Sequence, residues 1–248
     1  APQHQAVLSS HSLNTFDALW DLQVDWFEEP NERRGGWSGV GRIVLQNDGL
    51  APSIFFVKKQ QNHGRRTLLH PLRGEPTFRR EFERLRFLQQ HRFAAPEVVF
   101  YAESNAGGNQ RAILVTVALT EYLPLDTLAE GWRKTASRAS QLRLIKKIAD
   151  EIRRFHDLGL VHRALYPKHI FVKNADGVPE IALIDLEKAR SGGQFMSRAG
   201  FDLAALNRHA TGWRATQKMA FFLQYMKMKK LDSSSKKLCR SVMQRASR

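Results

Sequence analysis

The sequence predicts an α+β protein in two parts: a small strand-rich first half carrying one long helix, and a mostly helical second half. Three observations predict it. Runs dense in β-branched and aromatic residues, which fit a pleated half-buried surface, lie before residue 123. Apolar residues at helical spacing dominate after residue 140. A glycine cluster, Gly35-Gly36-Trp37-Ser38-Gly39-Val40-Gly41, runs into Ile43-Val44-Leu45 and reads as a strand–turn–strand ribbon.

Taken in order, residues 14–27 place Phe16, Leu19, Trp20, Leu22, Trp26 and Phe27 at a spacing that fits a short helix or a packed arm, and Pro30-Asn31 breaks it. The ribbon follows, then a turn at Asn47-Asp48-Gly49, then the strand Ser53-Ile54-Phe55-Phe56-Val57-Lys58. A basic connection punctuated by Gly and Pro covers residues 60–76. Residues 78–91 read as a helix with Phe78, Phe82, Leu85 and Leu88 on one face. Two strands come next, at 97–103 and 111–121. In the second half, residues 140–158 form a helix on Leu142, Ile145, Ala149, Ile152 and Phe155, with Gly159 as its stop. An irregular loop at 162–169 leads to short strands at 170–173 and 180–184 around the turn Asn174-Ala175-Asp176-Gly177. Helices are expected at 202–209, 213–229 and 235–246. The expected organisation is an arm at 1–34, a first lobe at 35–123 and a second at 124–248.

Composition narrows the class. At 248 residues, 42% hydrophobic and 25% charged, the chain is built as a folded globular protein. Its apolar runs, such as residues 113–119, fall far short of the ~20 residues of a membrane-spanning helix. Residues 1–10 are polar and carry no export-signal pattern. The one cysteine, Cys239, forms no intrachain disulfide, and the cytoplasm is the expected compartment. The net charge of +15 is unevenly placed: residues 1–123 hold 14 Lys/Arg against 13 Asp/Glu, and residues 124–248 hold 25 against 11. Such a one-sided field suits an anionic partner. The stripe of Met219, Phe222, Leu223 and Met226 reads as a packed helix.

Two segments carry the chemistry. Val161-His162-Arg163-Ala164-Leu165-Tyr166-Pro167-Lys168-His169-Ile170-Phe171-Val172 resembles a kinase catalytic loop, and Ile181-Ala182-Leu183-Ile184-Asp185-Leu186-Glu187 resembles the metal-binding strand end that follows one. Together they are similar to the bacterial Kdo/WaaP lipopolysaccharide kinase family, in its InaA-like branch, over about residues 35–228. The resemblance implies a two-lobed, protein-kinase-like fold with a shortened helical second lobe.

It also implies roles. Asp185 binds Mg²⁺ on nucleotide phosphates. Lys58 reaches the phosphates of ATP and is positioned by a carboxylate, Glu81, with Glu83 as rival; Lys59 is the alternative lysine, on the opposite strand face. Gly36, Gly39 and Gly41 resemble a phosphate-covering ribbon. His169 stands where protein kinases have a metal-binding Asn, and either binds metal or phosphate or packs in the loop. Ala164 stands where they have the aspartate that accepts the hydroxyl proton, and Glu187 is a candidate replacement. His162, Arg163 and Asp202, the last resembling a buried helix-start aspartate, brace the loop.

The expected activity is an ATP- and Mg²⁺-dependent sugar kinase acting on the lipopolysaccharide core, an anionic glycolipid met at the inner membrane surface. The alternative is a pseudokinase that binds nucleotide or regulates. No nucleic-acid partner is expected, because the basic excess comes without a recognition motif or stacking platform.

Overall fold

In the computed structural model, which describes residues 2–33, 35–47, 49–65, 74–175 and 178–246, the chain divides into two units, Ala1–Thr120 and Glu121–Arg248. The expected turns at residues 47–49 and 174–177 and the connection at 60–76 lie partly outside the described residues, as does Arg34, just before the glycine cluster.

The first unit opens with two helices, α1 (Pro2–Ser10) and α2 (Phe16–Asp21), the latter capped by the Thr15 hydroxyl, which accepts from the Ala18 N–H. Strands β1 (Asp25–Arg33), β2 (Gly36–Asn47) and β3 (Leu50–Gln61) follow, then the short β4 (Gly64–Arg65) and β5 (Glu75–Pro76), helix α3 (Thr77–Gln90), and strands β6 (Val98–Ala106) and β7 (Asn109–Val117). The main sheet is antiparallel with order β1-β2-β3-β7-β6.

Sequence periodicity misplaced one element here. Residues 25–27 leave the expected helix or arm and start an edge strand, and Pro30 lies inside it rather than ending it. Proline has no N–H for a ladder, and β1 tolerates it because the register is irregular between Glu28 and Asn31 at the sheet edge. Residues 2–33 thus supply two helices and a strand to this unit. Leu8, Leu13 and Leu19 are buried with Phe55, Val57, Ile113 and Val115 on one sheet face. Each such leucine contributes about 1.5–3 kcal/mol by leaving water. Helix α3 covers the other face, with Phe82 stacked on Tyr101 of β6.

The second unit contains β8 (Leu123–Pro124), α4 (Leu125–Thr135), α5 (Arg138–Asp157), β9 (Leu160–Val161), β10 (Ile170–Ala175), β11 (Val178–Leu183), β12 (Arg190–Ser191), α6 (Phe195–His209), α7 (Ala215–Tyr225) and α8 (Ser233–Ala246). Ser137 caps α5, its hydroxyl accepting from the Ser140 N–H, and Gly159 adopts φ +82° just past its end. Helix α5 buries Ile145, Ile148, Ile152 and Phe155. Strand β10 pairs with β11 and β8, and β12 with β9, so two small ladders bracket the loop at 162–169. No described helix is long and apolar enough to cross a membrane.

Candidate active site

In the first unit the site begins with strand alternation. Lys58 is cross-paired with Val40 and Leu114, on the sheet face that α3 covers. Its ammonium donates to both carboxylate oxygens of Glu81, at 2.7 and 2.8 Å. The Lys58 side chain is 18% exposed and that of Glu81 4%. A buried carboxylate is costly without a partner, so Glu81 requires this lysine, whose side chain stays partly exposed. The alternative pairings are not the ones adopted. Glu83 is exposed. The Lys59 ammonium is buried on the opposite face, donating to the carbonyls of Trp20 (2.7 Å) and Leu22 (2.6 Å), and burial pushes its pKa down. Lys59 therefore ties the N-terminal segment to the sheet.

Three contacts fix the rotation of α3 that aims Glu81. The buried Gln60 side-chain oxygen accepts from the Phe78 N–H and the Thr77 hydroxyl, both at 3.0 Å, so β3 itself caps the helix start. The Arg79 guanidinium pairs with Glu103, which also accepts from the Tyr101 hydroxyl. Phe82 and Tyr101 stack with centroids 4.3 Å apart. Gln60 escaped notice in the sequence, though its place two residues beyond Lys58, on the same strand face, was the available signal.

Gly36, Gly39 and Gly41 all lie on β2, after the hairpin turn at Gly35. Gly39 and Gly41 pair with Lys59 and Val57, so they share the face opposite Lys58. A Cβ on Gly39 would stand 2.7 Å from the Trp26 ring, and one on Gly41 2.3 Å from Val24; one on Gly36 would meet the Asn62 carbonyl oxygen at 2.3 Å. Close packing within the unit already requires glycine at these positions.

In the second unit the loop is held from beneath by Asp202. Its buried carboxylate accepts from the backbone N–H of His162 (2.6 Å) and of Arg163 (2.8 Å). It also accepts from His156 Nε2 at 3.0 Å, and His156 Nδ1 in turn takes the Tyr225 hydroxyl at 2.6 Å. Asp202 lies in the middle of α6, not at a helix start. His156 and Tyr225 were not singled out by sequence, although His156 sits four residues past Ile152 on the buried stripe of α5.

Above this base, His169 Nδ1 donates to the Ala164 carbonyl at 2.8 Å. That bond leaves the lone pair of a neutral ring on Nε2, which faces Asp185 Oδ2 at 3.5 Å. Two acceptors facing each other are reconciled by a proton or a cation between them. Asp185 is 34% exposed and adopts φ +57°, ψ +60°, a left-handed conformation uncommon outside glycine. Its neighbour Ile184 is clamped on both sides: its carbonyl accepts from His162 Nε2 (2.9 Å) and its N–H donates to the His169 carbonyl (3.1 Å). Burial pushes the His162 pKa down, so this ring stays neutral, stacked 6.0 Å from His169. Glu187 lies in the 3-10 turn Leu186–Lys188, immediately after Asp185.

The donor set fits a divalent cation. Asp185 supplies a hard oxygen and His169 a free nitrogen, and Mg²⁺ takes one or two protein ligands when phosphates and water complete its shell. Among the described residues no three His, Cys, Asp or Glu side chains are grouped to hold a metal.

Comparison with known proteins agrees with this architecture. The family described as lipopolysaccharide kinase (Kdo/WaaP) matches residues 17–225. The protein InaA of Escherichia coli (strain K12) is 30% identical over 182 residues, covering 73% of this chain and 81% of that protein. The solved structure of WaaP in complex with acyl carrier protein superposes with a TM-score of 0.69 over 94% of this chain and 91% of that one, at 22% identity, and shows the shared kinase-like fold.

Proposed function

Because the chain belongs to the lipopolysaccharide kinase (Kdo/WaaP) family, we propose that it is an ATP- and Mg²⁺-dependent kinase that phosphorylates a sugar hydroxyl of the lipopolysaccharide core. The observation that carries this reading is the His169 Nε2–Asp185 Oδ2 pair, two acceptors turned toward one point on a braced loop. These two residues would hold the metal. Lys58, aimed by Glu81, would bind phosphate oxygens. The metal, when bound, neutralises phosphate charge.

Ala164 puts no carboxylate at the usual proton-accepting position, and it is buried. General-base help is worth roughly 10²–10⁴-fold, so transfer is expected to be slow. The same residue supports the second reading, a pseudokinase whose nucleotide site survives without turnover. The basic second unit would suit work on an anionic glycolipid at the cytoplasmic face of the inner membrane. WaaP's complex with acyl carrier protein makes a carrier protein of that kind a further candidate partner.

The test is thermal denaturation with ATP–Mg²⁺, followed by phosphate transfer to purified lipopolysaccharide core. Ligand at a hundredfold excess over Kd stabilises by about 2.7 kcal/mol. We expect that gain in the wild type and its loss in Lys58→Ala and Asp185→Ala. We also expect transfer to fall at least ~10²-fold in Asp185→Ala. Binding without transfer selects the pseudokinase, and a wild type that binds no nucleotide removes both readings.

A further inference from the structure

The second unit contains a cavity of about 370 Å³ at the foot of the loop, walled by Asp126, Pro167, His209, Thr211, Gly212 and Trp213 among others. Its volume sits at the lower end of the roughly 300–1,000 Å³ of small-molecule sites. Its chemistry is mixed in a particular way. Trp213, 8% exposed, and the buried Pro167 contribute a small apolar floor, while an exposed carboxylate, imidazole and hydroxyl come from Asp126, His209 and Thr211. A second cavity of about 350 Å³, walled by Leu203, Trp213, Phe222 and Val242, is almost wholly apolar and has no such donor set.

A sugar ring has the complementary make-up, with C–H faces that pack on an indole and hydroxyls that bond carboxylate, imidazole and hydroxyl groups. Asp126 repels phosphate and carboxylate groups, which selects a neutral, hydroxyl-rich segment. The cavity also adjoins the reacting end of the unit. Pro167 opens the 3-10 turn that ends at His169. The Tyr166 ring touches both His169 (centroids 5.5 Å) and His209 (4.6 Å), so one side chain separates the cavity wall from the histidine facing Asp185.

We propose that this cavity is the acceptor subsite, binding an uncharged sugar unit through Asp126, His209 and Thr211 with Trp213 and Pro167 as its floor. The term acceptor rests on the kinase reading above; sugar binding does not. Saturation-transfer NMR with a short neutral core oligosaccharide, free of phosphate and of acidic sugars, tests it. The wild type is expected to bind, and Asp126→Asn, Thr211→Val and His209→Ala each to weaken binding by about tenfold, the worth of one hydrogen bond to a charged or well-placed group. These three side chains are exposed, so melting temperature and the ATP–Mg²⁺ shift should be unchanged. Oligosaccharide binding at full strength in all three variants, or no binding by the wild type, overturns the proposal. Variant-sensitive sugar binding in a protein that binds no ATP–Mg²⁺ supports the cavity and removes the kinase reading instead.

Discussion

Asp202 is the residue on which the loop's geometry depends. Arg163 has φ +67°, a conformation that costs a non-glycine residue about 1–3 kcal/mol. Asp202 offsets that cost by accepting from the backbone N–H of Arg163 itself and of His162 before it. Its own placement is set by His156, whose Nε2–H points at Asp202 because Nδ1 accepts from Tyr225. Burial pushes the Tyr225 pKa up, which keeps its hydroxyl a donor. Removing the carboxylate would leave two buried donors, on His156 and His162, and the part-buried Arg163 N–H without this acceptor, each buried one costing about 1–3 kcal/mol. Asp202→Ala should therefore destabilise the second unit by ~3–5 kcal/mol in urea denaturation, and Asp202→Asn by less, since one oxygen remains. A loss below about 1 kcal/mol for the alanine variant would mean that the loop holds its shape without this carboxylate. The resemblance placed Asp202 correctly as a backbone brace, but its position along α6 and its two partners depend on tertiary packing.

At the scale of elements, β2 shows glycine demanded by close packing. Gly41 pairs with Trp26 of β1 and Val57 of β3, on the face packed by the N-terminal segment. A Cβ there would lie 2.3 Å from Val24 Cγ2 and 2.5 Å from its Cβ, so the whole valine would have to move. Gly41→Ala should cost about 1–3 kcal/mol through overpacking, lowering the melting temperature of the apoprotein. Were the glycine needed only for phosphate approach, the same variant would lose nucleotide affinity at an unchanged melting temperature. Patterns of this kind mark what was legible. Strand β3 and helix α3 were readable because an alternating aromatic strand and an amphipathic helix advertise themselves, and the Lys58–Glu81 pair followed from strand alternation plus resemblance. Strand β1 was not, because Trp26 and Phe27 extend a helical spacing and Pro30 mimics a break; the sheet edge overrode both. Helix α4 passed unread between Pro124 and Ser137. Helix α7 ends at Tyr225 rather than near residue 229, where Lys227 takes φ +54°.

For the molecule as a whole, the division of charge follows the division of the chain. Residues 1–120 hold 14 Lys/Arg against 12 Asp/Glu, and residues 121–248 hold 25 against 12. The first unit is nearly neutral, so a partner drawn by charge is drawn to the second. Within that unit the exposed Asp126 puts negative charge at the cavity proposed for a neutral sugar, and phosphate groups of the same glycolipid would be drawn to the unit's excess of Lys and Arg. This separation has a measurable consequence. Charges on a solvated surface are screened beyond about 10 Å at 0.1 M salt. Affinity of the full chain for vesicles of phosphorylated lipopolysaccharide should therefore fall more than ~10-fold between about 0.05 and 0.5 M salt. Binding of the short neutral oligosaccharide should change little over the same range, since hydrogen bonds and indole packing carry no net charge. Co-sedimentation and saturation-transfer NMR would measure the two side by side. Equal salt sensitivity would place the sugar among the surface cations rather than in the cavity, and vesicle binding that survives 0.5 M salt would show that something other than the basic surface holds the glycolipid.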